Sequence, residues 1–153
     1  MIRITRETDY GIILLCLMAR EAGQSFSAAT LAQRRGLPLP MVSKILKNLT
    51  RGGILQSQRG AQGGYRLARP PQAISVADII DTLEGPIALT ECSPGAVGEC
   101  LHQDRCTVSG HWTRINRAVR EALEQVTLWE MSFPSRPAGP ARPLVPIKQA
   151  RSL

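Results

Sequence analysis

Several things are missing from this chain of 153 residues. No stretch reaches the roughly 18 consecutive apolar residues that mark a membrane-spanning helix, so no membrane span is expected. The opening MIRITRETDYGIILL carries acidic residues where a signal peptide needs an apolar run, and no small-residue cleavage site follows. On that reading the chain stays in the cytoplasm, where cysteines are kept reduced. There is no glycine-rich nucleotide fingerprint, no catalytic-triad signature and no second cofactor motif. An enzyme is therefore not expected; the nearest thing to one would be an iron–sulfur redox protein. No segment repeats. The length is that of one domain or a domain with an appendage, enough for a hydrophobic core without disulfide staples.

Acidic residues are scarce in the front half, and basic ones are not. Residues 1–70 hold 11 Lys and Arg against 3 Asp and Glu, residues 71–131 hold 4 against 9, and residues 132–153 hold 4 against none. A basic front joined to an acidic middle suggests a polyanion-binding module attached to something of another kind.

What is present begins with helices. Tyr10, Ile13, Leu14, Leu17 and Met18 recur at helical spacing until Gly23. FSAATLAQRRG predicts a second helix, with Ser27 as N-cap, Phe26 and Leu31 as a hydrophobic staple, and Gly36 as the stop. After the turn LPLP, a third helix over PMVSKILKNLTRGG has Pro40 at its first position. Val42, Ile45, Leu46 and Leu49 fall on one face; Pro40, Ser43, Lys44, Lys47, Asn48 and Arg51 fall on the other. ILQSQRGAQGGYRLARP then alternates, turns through glycine and alternates again, as a β-hairpin does.

The layout is that of a winged helix-turn-helix, mainly α with a small β-hairpin, whose recognition helix enters the major groove chiefly by its N-terminal residues. Double-stranded promoter DNA is the expected partner. The expected contacts are Ser27, then Pro40, Met41, Ser43, Lys44, Lys47 and Arg51 of the third helix, and Arg59, Gly60, Gln62, Gly63 and Gly64 of the wing. Lys and Arg attract phosphate, Ser can bond a base or a phosphate, and the glycines let the wing approach the backbone closely. A solvated basic face is the plainer reading. The charge asymmetry, the short turn and the glycine-rich hairpin together favour DNA.

In the second half, ISVADIIDTLEGP predicts a fourth helix capped by Ser75 and Asp78, stapled by Ile74 and Ile79, and ended by Gly85 and Pro86. Further on, Trp112, Ile115, Val119, Ala122, Val126 and Trp129 are spaced 3, 4, 3, 4, 3. That is an a/d seam, so a helix over 109–131 is expected to pair with a second copy. From Pro134 to Pro146 proline recurs at every third residue, which suits an extended or disordered tail. The expected organisation is a winged helix-turn-helix domain at 1–71, a linking helix at 72–90, a cysteine loop at 91–108, a dimerisation helix at 109–131 and a basic, proline-rich tail at 132–153.

Three of the four cysteines lie in ECSPGAVGECLHQDRC, as Cys92-x7-Cys100-x5-Cys106. Zinc knuckles take pairs about two to four residues apart, and ferredoxin spacings differ as well. A loop turned by Pro94, Gly95 and Gly98 could still wrap three thiolates around a larger object such as an iron–sulfur cluster. A redox disulfide pair is a further option, and a merely polar loop another. Cys16, between Leu15 and Leu17, reads as a packing residue. His102 and His111 are ambiguous, a lone His near a loop being more often solvated or hydrogen-bonded than ligating.

From Met1 to about Met131 the chain resembles the IscR/NsrR-type winged-helix transcriptional regulators of bacteria. The resemblance is carried by RITRETDYGIILL, LAQRRGLPLPMVSKILKNLTRGGIL, RGAQGGYRLAR, ISVADIIDTLEG and the three-cysteine loop. Within the family it looks most like the branch that regulates the SUF iron–sulfur assembly system of proteobacteria, through GGYRLARPPQAISVADIIDTLEGPIALTEC. The resemblance implies a homodimer paired through the C-terminal helix. It implies an iron–sulfur cluster, 2Fe–2S or 4Fe–4S, ligated by Cys92, Cys100 and Cys106. It implies a repressor of iron–sulfur assembly genes that senses cluster, iron or redox status. Nitric-oxide-sensing and thiol-switching or metal-free regulators are the alternatives. The fourth ligand does not carry over directly. One branch has a His three residues past the last Cys, where this chain has Ser109, with His111 just beyond. Another branch takes an Asp from the first helix of the other subunit, and Asp9 stands at that position. Ser43 replaces an acidic residue that tunes target choice in the first branch.

Overall fold

The structure is a computed structural model that describes residues 3–60, 63–96, 98, 100 and 105–133. Gln62, His102 and the proline-rich tail from Pro134 onward lie outside these residues.

Helix α1 spans Arg6–Arg20 and starts at Thr5, whose hydroxyl accepts from the Thr8 N–H. Helix α2 spans Ala28–Arg35; the Ser27 hydroxyl accepts from the Thr30 N–H, and Gly36 ends the helix at φ 62°. Helix α3 spans Leu39–Arg51. It begins one residue earlier than the sequence suggests. Pro38 is the extended N-cap and Pro40 is the second helical residue, where a missing N–H is still harmless because the first turn leaves its donors unpaired. Strands β1 (Leu55–Gln58) and β2 (Gly64–Leu67) form the antiparallel wing, with Leu55 opposite Leu67 and Gln58 opposite Gly64. A mainly helical chain with one two-stranded hairpin is what the sequence predicts.

The core is built by the apolar faces of these elements: Leu14, Leu15 and Met18 of α1, Leu31 of α2, and Val42, Ile45, Leu46 and Leu49 of α3, all buried with Ile54 and Leu55. The wing is fastened to the α1–α2 connection. Phe26 N–H donates to the Tyr65 carbonyl at 2.9 Å and Tyr65 N–H returns a bond to Phe26 at 2.8 Å. Gly64 is needed for that approach: at φ 152° a Cβ would lie 2.6 Å from the Phe26 carbonyl oxygen. The protein body by itself therefore requires glycine at this position.

Helix α4 (Val76–Leu83) has the predicted capping box. Ser75 Oγ accepts from the Asp78 N–H at 3.0 Å, and the Asp78 carboxylate accepts from the Ser75 N–H at 3.1 Å.

The expected helix over 109–131 is divided in two: α5 covers Ser109–Glu124 and α6 covers Leu128–Ser132. Between them Thr127 is extended and starts a second capping box. It accepts from the Glu130 N–H at 3.2 Å, and Glu130 accepts from the Thr127 N–H at 2.8 Å. These bonds from the Thr127 backbone and hydroxyl hold the Glu130 carboxyl below its usual pKa. The break lets 126–128 pair with 74–76: Val76 N–H donates to the Val126 carbonyl at 2.9 Å and Leu128 N–H to the Ile74 carbonyl at 2.8 Å. Leu128 thereby enters the core with no exposed surface. Burying such a side chain is worth about 1.5–3 kcal/mol, and the two cross-segment hydrogen bonds replace helical ones given up at the break. Helix α6 packs on α1, where Arg20 Nε donates to the Ser132 carbonyl. Cys16 is buried here too. Burial raises its thiol pKa, against a lowering hydrogen bond with Ser132, in keeping with a packing residue.

Leu128→Ala is expected to lower the unfolding free energy by about 2–5 kcal/mol, from lost transfer energy plus the cavity left behind. Urea titration followed by circular dichroism measures it. A loss under about 1 kcal/mol, typical of a surface change, would show that α6 does not close the core.

Candidate functional site

The outward face of α3 exposes Pro40, Met41, Lys44, Lys47 and Arg51, with Ser43 half-buried at its edge. Leu39, passed over in the sequence as part of a turn, is 46% exposed beside Met41 at the start of the helix. An apolar pair there can meet thymine methyl groups in a major groove. Arg59 and Gly60 are exposed on the wing, whereas Gly63 and Gly64, at the turn end of the hairpin, are half-buried. Ser27 is exposed, but its hydroxyl is engaged in capping α2 and bonds to Thr30 Oγ1 at 2.8 Å.

Sequence reasoning missed one acidic neighbour of this face. Glu7, in the first turn of α1, accepts from Lys44 Nζ at 2.7 Å and from Asn48 Nδ2 at 3.2 Å. Only the i, i+4 spacing of Lys44 and Asn48 was visible as a signal, and it does not name the partner. Asp9, two residues further along α1, is exposed and forms no ion pair among the described residues.

The cysteine loop is anchored at its base. Ile87 N–H donates to Asp81 Oδ1 at 3.0 Å. Leu89 N–H donates to Asn116 Oδ1 at 3.0 Å, and Asn116 Nδ2 returns a bond to the Ile87 carbonyl at 3.1 Å. Asn116 is the buried residue of α5. One turn on, Arg120 reaches Asp81 Oδ2 at 2.9 Å. The loop thus hangs from α4 and α5 together. Gly95, at φ 85°, folds the loop back over Pro86, whose Cβ is 3.0 Å from where a side chain would begin.

Within the loop, Thr90 Oγ1 shares hydrogen bonds with Cys92 Sγ at 3.2 Å and with Ser93 Oγ at 2.9 Å. Cys92, Cys100 and Cys106 are half-buried free thiols. Ser109 Oγ donates back to the Cys106 carbonyl at 3.3 Å, so this residue finishes the loop locally. His111 is exposed on α5. Among the described residues, no group of three or more His, Cys, Asp or Glu stands close enough to hold a metal ion. The three thiols are therefore not gathered with Asp9 or His111 within one chain. As a donor set, three thiols with a carboxylate or imidazole fit an iron–sulfur cluster chemically.

The apolar row of the last helices is open. Trp112, Ile115, Ala122, Val126 and Trp129 are exposed and Val119 is half-buried; Met131 and Phe133 extend the row, the Trp129 and Phe133 rings lying 4.5 Å apart. An exposed apolar row of this kind suits contact with another protein surface. Next to it, Ile4, Ile80, Ala88, Leu89, Val119 and Leu123 line a groove of about 560 Å³. Its rim holds Glu84, which accepts from the Thr5 N–H at 2.8 Å. Desolvation works against ionising Glu84, but the bonds from the Thr5 backbone and from the Thr8 and Thr5 hydroxyls outweigh it and bring its pKa below the ordinary value. No helix among the described residues is long and apolar enough to cross a membrane.

Comparison with known proteins places these features in context. A family model, Rrf2, described as an iron-dependent transcriptional regulator, matches residues 4–132. The chain is 31% identical over 131 residues to the HTH-type transcriptional regulator CymR of Bacillus subtilis, covering 85% of this chain and 89% of that one. The structure of B. subtilis CymR, the global cysteine regulator, superposes with a TM-score of 0.67 at 32% identity, over 86% of this chain and 97% of the other. An IscR from T. potens superposes with a TM-score of 0.65 at 27% identity, over 92% and 93%.

Two outcomes are expected here. Asn116→Ala leaves the Leu89 N–H and Ile87 carbonyl without their partner, at a cost of about 1–3 kcal/mol; amide exchange at Leu89 should quicken while that of the α3 core amides stays slow. Because the folded-state pKa of Glu84 is lowered, its contribution is present above the ordinary glutamate range and is lost as pH falls through the lowered value. Glu84→Gln should therefore flatten the acid limb of the melting temperature plotted against pH, and an unchanged limb would rule this out.

Proposed function

The chain belongs to the Rrf2 family of transcriptional regulators, and on that premise we propose that it reads promoter DNA as a homodimer and senses an iron–sulfur cluster through Cys92, Cys100 and Cys106. It is a regulator and not an enzyme. In this reading α3 supplies the groove contacts through Pro40, Met41, Ser43, Lys44, Lys47 and Arg51, and Arg59 and Gly60 of the wing lie along the phosphate backbone. Two copies pair along the apolar row from Trp112 to Trp129. The remaining ligand is Asp9 contributed by the second copy, or His111. The regulated genes are those of iron–sulfur assembly, and the action is repression. The description of the family as iron-dependent and the similarity to an IscR support this reading.

The observation that carries it is the anchoring of the cysteine loop. Asp81, Asn116 and Arg120 tie the loop base to α4 and to the pairing helix α5. When bound, a cluster supplies a redox-active, ligand-exchanging group. The residues of this chain convert its presence into loop geometry, and the anchors pass that geometry to the dimer helix. Two DNA-reading heads must match half-sites about 34–36 Å apart, so a small change at the pairing helix alters affinity.

A second reading is a metal-free, thiol-switching regulator. It is favoured by the similarity to CymR, the global cysteine regulator, and by three half-buried thiols that no disulfide consumes.

Anaerobic purification with absorption spectra and assays of iron and acid-labile sulfide separates the two. Cluster ligation predicts visible absorption that disappears in the triple variant Cys92→Ser, Cys106→Ser, Cys100→Ser; colour surviving in that variant sinks the ligand assignment. Wild-type protein that gives neither iron nor sulfide favours the thiol switch. For the DNA face, Lys47→Gln should weaken binding uniformly across sequences and lower the salt slope by about 1. An unchanged slope removes Lys47 from the contact set.

A further inference from the structure

We infer that Glu7 is an intramolecular rival of the DNA phosphates for Lys44 and so sets how strongly α3 binds DNA of any sequence. The inference rests on α3 facing DNA. The observation is the placement of a carboxylate at the edge of the basic face, 2.7 Å from Lys44 Nζ and 3.2 Å from Asn48 Nδ2. The front 70 residues contain only three acidic side chains, and one of them is here.

Lys44 belongs to the outward face. At about 100° per residue it points away from Val42, Ile45, Leu46 and Leu49, in line with Lys47 and Arg51. Its side chain is 66% exposed and free to swing, whereas that of Glu7 is 27% exposed and held by α1. The lysine can leave and the glutamate cannot follow.

An exposed ion pair of this kind contributes about 0–1 kcal/mol, so it does little for the fold and yields readily to a phosphate. Its effect on binding is larger. When Lys44 turns to a phosphate, one counterion is released from the DNA, but the Glu7 carboxylate stays beside the duplex and repels it. Where a favourable partner awaits Lys44, the exchange is compensated. Where none does, the lysine stays with Glu7 and the protein loses a phosphate contact. Glu7 thus suppresses sequence-independent binding.

The test uses the full chain and a mixed-sequence duplex of about 30 bp, three helical turns, with fluorescence anisotropy between 50 and 200 mM salt. Glu7→Gln keeps the side-chain shape and removes the charge. It should bind several-fold more tightly and steepen the salt slope by about 0.9, so that its advantage shrinks about 3.5-fold across that salt range. In a Lys44→Gln background the same change should gain much less, because only the direct repulsion by Glu7 is then relieved. Three results overturn the inference: weaker binding by Glu7→Gln with a normal melting transition, an unchanged slope, or a gain as large without Lys44 as with it. Glu7→Ala takes its place if the Gln variant does not fold. Wild-type protein without salt-dependent binding would remove the DNA-facing role of α3 as well, which separates that failure from the failure of the rivalry.

Discussion

The second half of the molecule depends on a short antiparallel contact between 74–76 and 126–128. Two hydrogen bonds, Val76 N–H to Val126 and Leu128 N–H to Ile74, bring the chain back to the head after an excursion of some fifty residues. Each partner segment is the start of a helix, and each start is closed by its own capping box, Ser75 with Asp78 and Thr127 with Glu130. A capping residue must be extended while the next is helical, so both segments are strand-like where they meet. The pairing therefore reinforces a geometry that the caps already require. From it follow the burial of Leu128, the packing of α6 on α1, and the direction in which α5 leaves the head.

Helix α5 is pinned at one end by that contact and along its middle by Asn116 and Arg120, while its apolar row has no cover among the described residues. A helix held in this way can carry surface for a second copy without depending on it to fold. The cysteine loop hangs from the same helix. Its anchors are hydrogen bonds and an ion pair at the edge of the core, not apolar packing. Such contacts are specific in geometry but modest in energy.

The DNA-reading head divides the same way. Its form is set by buried Leu, Ile and Val side chains, while Lys44, Lys47 and Arg51 stay exposed on the outward face of α3. Gly64 and Ser27 serve the fold as well as standing among the expected DNA contacts. Gly64 allows the approach of Phe26, and the Ser27 hydroxyl caps α2 as its sequence position predicts. Leu39 is the reverse case, a residue taken for part of a turn that stands open at the tip of α3.

Much of the fold was legible because it is written in local signals. The caps at Ser27 and Ser75, the left-handed Gly36, the two faces of α3 and the glycine-turned hairpin all involve residues within a few positions of one another, and propensity and periodicity act over that range. The same local logic was misleading at Thr127. There an a/d spacing and a T-x-x-E start signal coincide, and only the burial of Leu128 against α1 decides for the break. The site was less legible. Glu7 meets Lys44 across 37 positions and Thr5 meets Glu84 across 79. The loop donors Cys92, Cys100 and Cys106 were identifiable by type and spacing, but their distances from Asp9 and His111 were not. Residue chemistry and local conformation follow from the order of amino acids because neighbours along the chain cause them. Which groups face one another across the molecule was decided only when the helices packed, since burial of apolar surface selects a partner by shape and not by distance along the chain.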